Sequence, residues 1–134
     1  VKTIAIDFDG VIHAYSRGWL DGSIYDEPVP GAFEAIRKYM ELGYAVCIIS
    51  TRKPKQILKW FREHQHLAYY NANVLMLAHG YNAEKIIWYK KFWDKPWVLG
   101  VTNRKLPAMV YIDDRAVRFK GSWESPEALL SEQW

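Results

Sequence analysis

The chain has 134 residues, half of them hydrophobic and a quarter charged, the balance of a single globular domain able to fold without disulfides. Its formal charge of +3 suits anionic substrates but is too small to demand nucleic acid as a partner. The lone Cys47 excludes an internal disulfide. No apolar run nears the roughly 20 residues of a membrane span or forms a signal peptide, so the expected setting is the cytoplasm, with no membrane partner.

Residues 3–8 open the chain with a nearly continuous apolar run, the pattern of a strand covered on both faces. The run ends in Asp7-Phe8-Asp9-Gly10. Side chains alternate along a strand, so Asp7 and Asp9 share one side while Phe8 takes the other. Gly10 permits a sharp turn or a close backbone approach. Two carboxylates that near are costly unless a cation neutralises them or one keeps a proton. Residues 11–29 lack periodicity and carry Gly18, Gly22, Pro28 and several aromatics, so they read as a loop or small hairpin placed over the acids. Pro30-Gly31 then opens a helix with Ala32, Phe33, Ile36, Tyr39 and Met40 at helical spacing, and Gly43 stands where a C-terminal cap belongs.

Residues 44–49 form a second strand holding Cys47 as a passive core residue, and Ser50-Thr51-Arg52 follows it. Pro54 suits the first turn of a second helix whose apolar positions are Ile57, Leu58, Trp60, Phe61 and Leu67. Residues 73–78 are ambiguous, their length favouring a strand, and residues 82–92 read as a third helix. Strands at 97–101 and 109–112 come next, the latter ending in Asp113-Asp114, and Ser125-Pro126-Glu127 marks the capped start of a terminal helix. Strands alternating with helices predict an α/β fold with a mostly parallel sheet and helices on both sides. Ligands of such sheets bind beyond the carboxyl ends of the strands, where Asp7, Asp9, Ser50 and Asp113 all fall.

Each polar cluster has an ordinary local explanation. An acidic pair makes a turn or cap, Ser50 and Thr51 can cap the second helix, and Arg52, Lys53 and Lys55 can be its solvated start. Lys105 can be a surface charge, and Asp113-Asp114-Arg115 a turn with a local ion pair. Together they supply what phosphoryl transfer needs around one phosphorus atom. Carboxylates at two strand ends bind Mg²⁺, a hydroxyl and an ammonium hold the phosphoryl oxygens, and one carboxylate is left as nucleophile.

In this order the clusters resemble the four motifs of the haloacid dehalogenase superfamily of phosphohydrolases, over most of the chain. Asp7-Phe8-Asp9-Gly10-Val11 is similar to the first motif, Ser50 to the second, Lys105 to the third and Asp113-Asp114 to the fourth. The resemblance implies a Rossmann-like three-layer α/β/α sandwich with a short flap over residues 11–29. It also implies Mg²⁺-dependent phosphomonoester hydrolysis through an aspartyl-phosphate. Asp7 would attack phosphorus, and Asp9 would protonate the leaving oxygen and later activate water. Ser50 and Lys105 would hold the phosphoryl group, with Thr51 and Arg52 beside them. Asp7, the Asp9 carbonyl, Asp113 and Asp114 would hold Mg²⁺. Dehalogenases of the family lack the second aspartate, so Asp9 argues against dehalogenation. Receiver domains of signalling relays carry a phosphoacceptor aspartate on a middle strand, where this chain has Ser50.

Neither insertion point leaves room for a large cap, so the site should be open. An open site suits a phosphate on a small molecule, a nucleotide or a macromolecule, a nucleic-acid end included, or a cleft completed by a second subunit of a homo-oligomer. His13, Tyr15, Arg17, Trp19 and Tyr25 mix aromatics with a cation as base-stacking surfaces do, although Trp19 and Tyr25 would equally serve to pin the loop. His64, His66 and His79 show no metal-ligand spacing. The alternative from another class is a regulatory module that keeps the fold and the ion site without turnover.

Overall fold

Five short strands, β1 (Thr3–Asp7), β2 (Ala45–Ile49), β3 (Leu75–His79), β4 (Val98–Thr102) and β5 (Val110–Ile112), pair in the order β3-β4-β2-β1-β5. Every pairing is parallel, so each strand must be joined to the next by a crossover. The computed structural model describes residues 2–64, 75–79, 93–94 and 96–131. Within them lie α1 (Ala32–Glu41), α2 (Pro54–Glu63) and, after β5, α3 (Pro126–Ser131). The ambiguous segment is a strand over residues 75–79. The helix expected over 82–92 lies outside the described residues, as do Leu67 and His66. β4 starts one residue later than its apolar run because Trp97 has a φ of 63°, which no strand residue adopts.

Local chemistry fixes the helix ends. At the end of α1 the Gly43 N–H donates to the Met40 carbonyl and the Tyr44 N–H to the Tyr39 carbonyl, while Gly43 takes a φ of 91°. This is the paired-bond stop that a left-handed glycine allows. Pro54 opens α2 from an extended Lys53, and proline disfavours helical dihedrals in the residue before it. Ser125 Oγ accepts from the Ala128 N–H at 3.2 Å, capping α3 as the sequence predicts. α3 nevertheless buries no side chain. Beside it the exposed Phe119 and Trp123 rings pair at 5.0 Å.

Alternation divides the sheet into two faces. Ile4, Ile6 and Phe8, with Val46, Ile48, Leu99 and Val101, meet Phe33, Ile36 and Met40 of α1 and Ile57, Leu58, Trp60 and Phe61 of α2 in one core. Ala5 and Cys47 face the other way, against Leu106 and Trp93. Right-handed crossovers explain the split. From β1 the chain steps to β2 and then past β4 to β3 in one direction, which puts α1 and α2 on the same face. The return to β4 and on to β5 runs the other way and carries Trp93 and Leu106 to the opposite face. Among the described residues, helices therefore pack on one face only.

The core is strongly aromatic where it approaches the acids. Trp60 meets Phe8 edge-on at 5.1 Å and Phe61 at 5.3 Å, geometries that ring quadrupoles favour. Cys47 is fully buried, and burial pushes its thiol up to about 12, consistent with a passive core role. No helix among the described residues is long and apolar enough to cross a membrane.

Candidate functional site

Because the strands are parallel, their carboxyl ends share one edge of the sheet. Asp7 closes β1, Ser50 follows β2, Asn103 to Lys105 follow β4, and Asp113-Asp114 follow β5. β1 lies between β2 and β5, with Asp7 level with Ile49 and Ile6 level with Ile112. Asp113 thus emerges beside Asp7. The chain steps from β1 to one side of the sheet and returns at the end to the other, the reversal at which open α/β sheets form their crevice. Two clefts meet here. One of about 780 Å³ is lined by Asp7, Ser50, Thr51, Asn103, Arg104, Lys105, Tyr111, Asp113 and Arg118. The other, about 210 Å³, is lined by Asp7, Asp9, Tyr15, Trp19, Ser50, Thr51, Asp114 and Arg115.

Asp7, Asp113 and Asp114 each offer one carboxylate oxygen, and these oxygens lie within 4.8 Å of one another. Burial raises the Asp7 carboxyl to about 7, helped by the charge of Asp113; a hydrogen bond from the Phe8 backbone opposes the rise, while Asp114 and Asp9 add to it. Such crowding is what a divalent cation relieves, and an all-carboxylate donor set suits a hard ion such as Mg²⁺. Gly10 makes the cluster possible. It has a φ of 84°, and a β-carbon there would stand 3.0 Å from the Asp114 carboxyl carbon and closer still to its Oδ2. Both uses foreseen for this glycine, the turn and the close approach, are present.

The Asp9 carboxylate turns away from that cluster. Its Oδ2 accepts from Arg52 Nε at 2.7 Å, and its Oδ1 lies 2.8 Å from His13 Nδ1. The Asp26 backbone N–H donates to His13 Nε2 at 3.0 Å, which assigns the ring proton to Nδ1, donating to Asp9. Arg52 Nη1 also donates to the Gly22 carbonyl at 2.7 Å, while Nη2 is buried without a partner among the described residues. Both the His13 and Arg52 side chains are fully buried.

Arg52, expected beside the phosphoryl group, lines neither of these clefts, and the buried His13 ring packs against Phe8, Tyr25 and Trp60. The turn after β2 carries Arg52 inward, where Asp9 supplies the opposite charge that a buried guanidinium requires. Ser50 Oγ accepts from the Arg52 N–H at 3.1 Å, a local turn contact in place of a cap on α2, whose N-cap is Lys53.

Residues 11–29 form a laced loop. The Phe8 carbonyl accepts from the Ile12 and His13 N–H groups, Ala14 N–H donates to Glu27 O, and Val29 N–H donates to Ile12 O. Asp26 accepts from the Ser16 hydroxyl at 2.6 Å and its N–H at 2.9 Å, contacts that hold its carboxyl down at about 2. Trp60 Nε1 donates to the Asp26 carbonyl, tying the loop to α2. Tyr25 OH donates to the Gly18 carbonyl, and the Arg17 guanidinium lies over the Tyr25 ring. Of the five loop residues singled out in the sequence, Tyr15 and Trp19 line the smaller of these two clefts.

Among the candidate phosphate-binding cations, Arg104 and Lys105 line the larger cleft, whereas Lys53, Lys55 and Lys120 do not. Lys105 Nζ lies 5.7 Å from the Tyr111 ring centre, and Tyr111 OH donates to the Leu106 carbonyl. Arg118, one of the basic residues that follow the acidic pair and could contact a polyanion, joins this lining, as does Asn103, which does not stand out in the sequence. The Asp9–His13 contact was equally hidden, since a spacing of four signals a pair only on a helix. No family model matches the chain, and no curated protein or solved structure matches it.

Proposed function

We propose that the protein is a Mg²⁺-dependent phosphomonoester hydrolase working through an aspartyl-phosphate, on a haloacid-dehalogenase-like three-layer fold. One observation carries this reading: three carboxylates from the ends of adjacent parallel strands converge beside a cleft lined by Arg104, Lys105 and Arg118. Asp7, Asp113 and Asp114, with the Asp9 carbonyl, would hold the cation, whose chemistry is to neutralise charge around the reacting phosphoryl group. Ser50 and Lys105 hold the phosphoryl oxygens, with Thr51 beside them. An Asp7 oxygen attacks phosphorus; as that bond forms, the bond to the ester oxygen breaks and its electron pair leaves with that oxygen. Asp9, once protonated and released from one of its two partners, gives the leaving oxygen that proton. Water then attacks the aspartyl-phosphate, Asp9 accepts the water's proton, and inorganic phosphate departs with Asp7 regenerated.

One observation favours a second reading. Both Asp9 oxygens are engaged, by His13 and Arg52, as suits a module that binds an ion or phosphate without turnover. Hydrolysis of an aryl phosphate separates the two. The hydrolase needs Mg²⁺ and loses turnover in Asp7→Asn; full activity in that variant removes Asp7 as nucleophile. Mg²⁺ binding with no turnover on a broad phosphate panel selects the module.

A further inference from the structure

We infer that Trp19, braced from behind by Arg52 and flanked by Tyr15, is a stacking platform for the leaving group, making nucleoside phosphates the preferred substrates. The inference rests on the hydrolase reading, because that reading locates the leaving group. The residue that protonates the departing oxygen is Asp9, and Asp9 lines the smaller cleft and not the larger one. The phosphoryl oxygens therefore face the basic cleft. The group that departs lies in the aromatic one, against Tyr15 and Trp19.

The platform is built in advance. Trp19 is 52% exposed, yet its indole is not loose, because the buried Arg52 guanidinium sits 4.4 Å from the ring centre. Arg52 on one side and the close approach of Gly22 to the indole fix the ring, while about half of Trp19 stays exposed. The same guanidinium bonds Asp9 and the Gly22 carbonyl, so the acid and the aromatic wall share one rigid brace. The loop presents these rings at a cost in backbone energy: Tyr15 has a φ of 56° and Leu20 one of 51°, in the left-handed region that side chains other than glycine rarely enter. An exposed aromatic whose orientation is already fixed loses little entropy when a planar group stacks on it. A nucleobase offers such a face whatever its identity, whereas a small alkyl leaving group gains nothing from it.

The test compares three esters with Mg²⁺ and the full chain: a nucleoside monophosphate, the same nucleotide carrying the terminal phosphate of a short oligonucleotide, and glycerol phosphate. The expected kcat/KM for the nucleoside ester exceeds that for glycerol phosphate by about tenfold or more. That ratio falls toward one in Trp19→Ala, mainly through KM, and is largely kept in Trp19→Phe. An oligonucleotide processed at least as well as the mononucleotide identifies a chain end as the source of the nucleoside, and a slower one identifies the free nucleotide. A wild-type ratio near one, or a ratio unchanged in Trp19→Ala, overturns the platform and leaves the hydrolase reading standing. Calorimetric binding of the two small esters to Asp7→Asn, with and without Trp19→Ala, separates the reverse failure. Discrimination that Trp19→Ala abolishes, with no ester turned over by the wild type, upholds the platform and sinks the hydrolase; equal binding of both esters sinks the platform.

Discussion

Replacing Asp7 with asparagine in the absence of divalent cations should stabilise the fold, by an amount that grows with pH. The wild-type carboxyl is raised from 3.8 to about 7 by burial first and by Asp113, with smaller additions from Asp114 and Asp9. Between those values the folded chain holds a proton that the unfolded chain has released, so stability falls as pH rises through this window and levels off above the folded value. At about 1.4 kcal/mol per pKa unit the full shift corresponds to about 4 kcal/mol. Asp7 is only half buried, and solvent screening reduces this to about 2 kcal/mol. Asparagine cannot ionise, so the variant should match the wild type near pH 4 and exceed it by about 2 kcal/mol at pH 8, several degrees in Tm. Mg²⁺ should reverse that order at high pH by stabilising the wild type alone. Urea unfolding at about pH 4, 6 and 8, in chelator and in Mg²⁺, reads both effects. A difference independent of pH, or an Asp7→Asn chain less stable than wild type at pH 8 in chelator, would refute the reasoning that the acids repel one another across this edge.

Gly10→Ala forces a β-carbon into the Asp114 carboxylate at a left-handed φ; it should cost about 1 kcal/mol or more and abolish Mg²⁺-dependent stabilisation in thermal melts. Arg52→Met leaves Asp9 with His13 alone and should cost about 3–5 kcal/mol in denaturant unfolding. Adding Asp9→Asn to Arg52→Met should restore part of that loss, and strict additivity would show that the buried pair does not couple. Asp9→Asn alone should slow turnover by roughly 10²-fold or more while sparing phosphate binding, measured by steady-state kinetics beside calorimetry; turnover at the full rate removes Asp9 as acid and base.

The elements that chain chemistry alone could reveal are those whose signals are local. Apolar runs at β1, β2 and β5, Pro54 at the start of α2 and Gly43 past the end of α1 each act within a few residues, and each is where its pattern placed it. The edge shared by Asp7, Ser50 and Asp113 followed from parallel alternation without knowledge of strand order. Partner choice was not legible, because it depends on which way a turn throws a side chain. Arg52 looked like a solvated or phosphate-facing cation among Lys53 and Lys55, and only the packed turn after β2 aims it at Asp9. His13 looked like one more ring in an aromatic loop, yet the Phe8 carbonyl draws it beneath the sheet edge, where it stacks on Phe8 at 5.4 Å.

β5 is three residues long, sits at the outer edge of the sheet, and is joined to β1 by the pairs Ile4 with Val110, Ala5 with Tyr111 and Ile6 with Ile112. The last two acids of the cluster therefore reach the first only when segments far apart in sequence have met, a slow kind of contact for a folding chain to make. The three-acid cluster is completed only once β5 has paired with β1, when the core of α1, α2 and β2 can already exist. A cation held by all three acids would also help to clip this short outer strand in place, adding to the pairing that β5 already makes with β1.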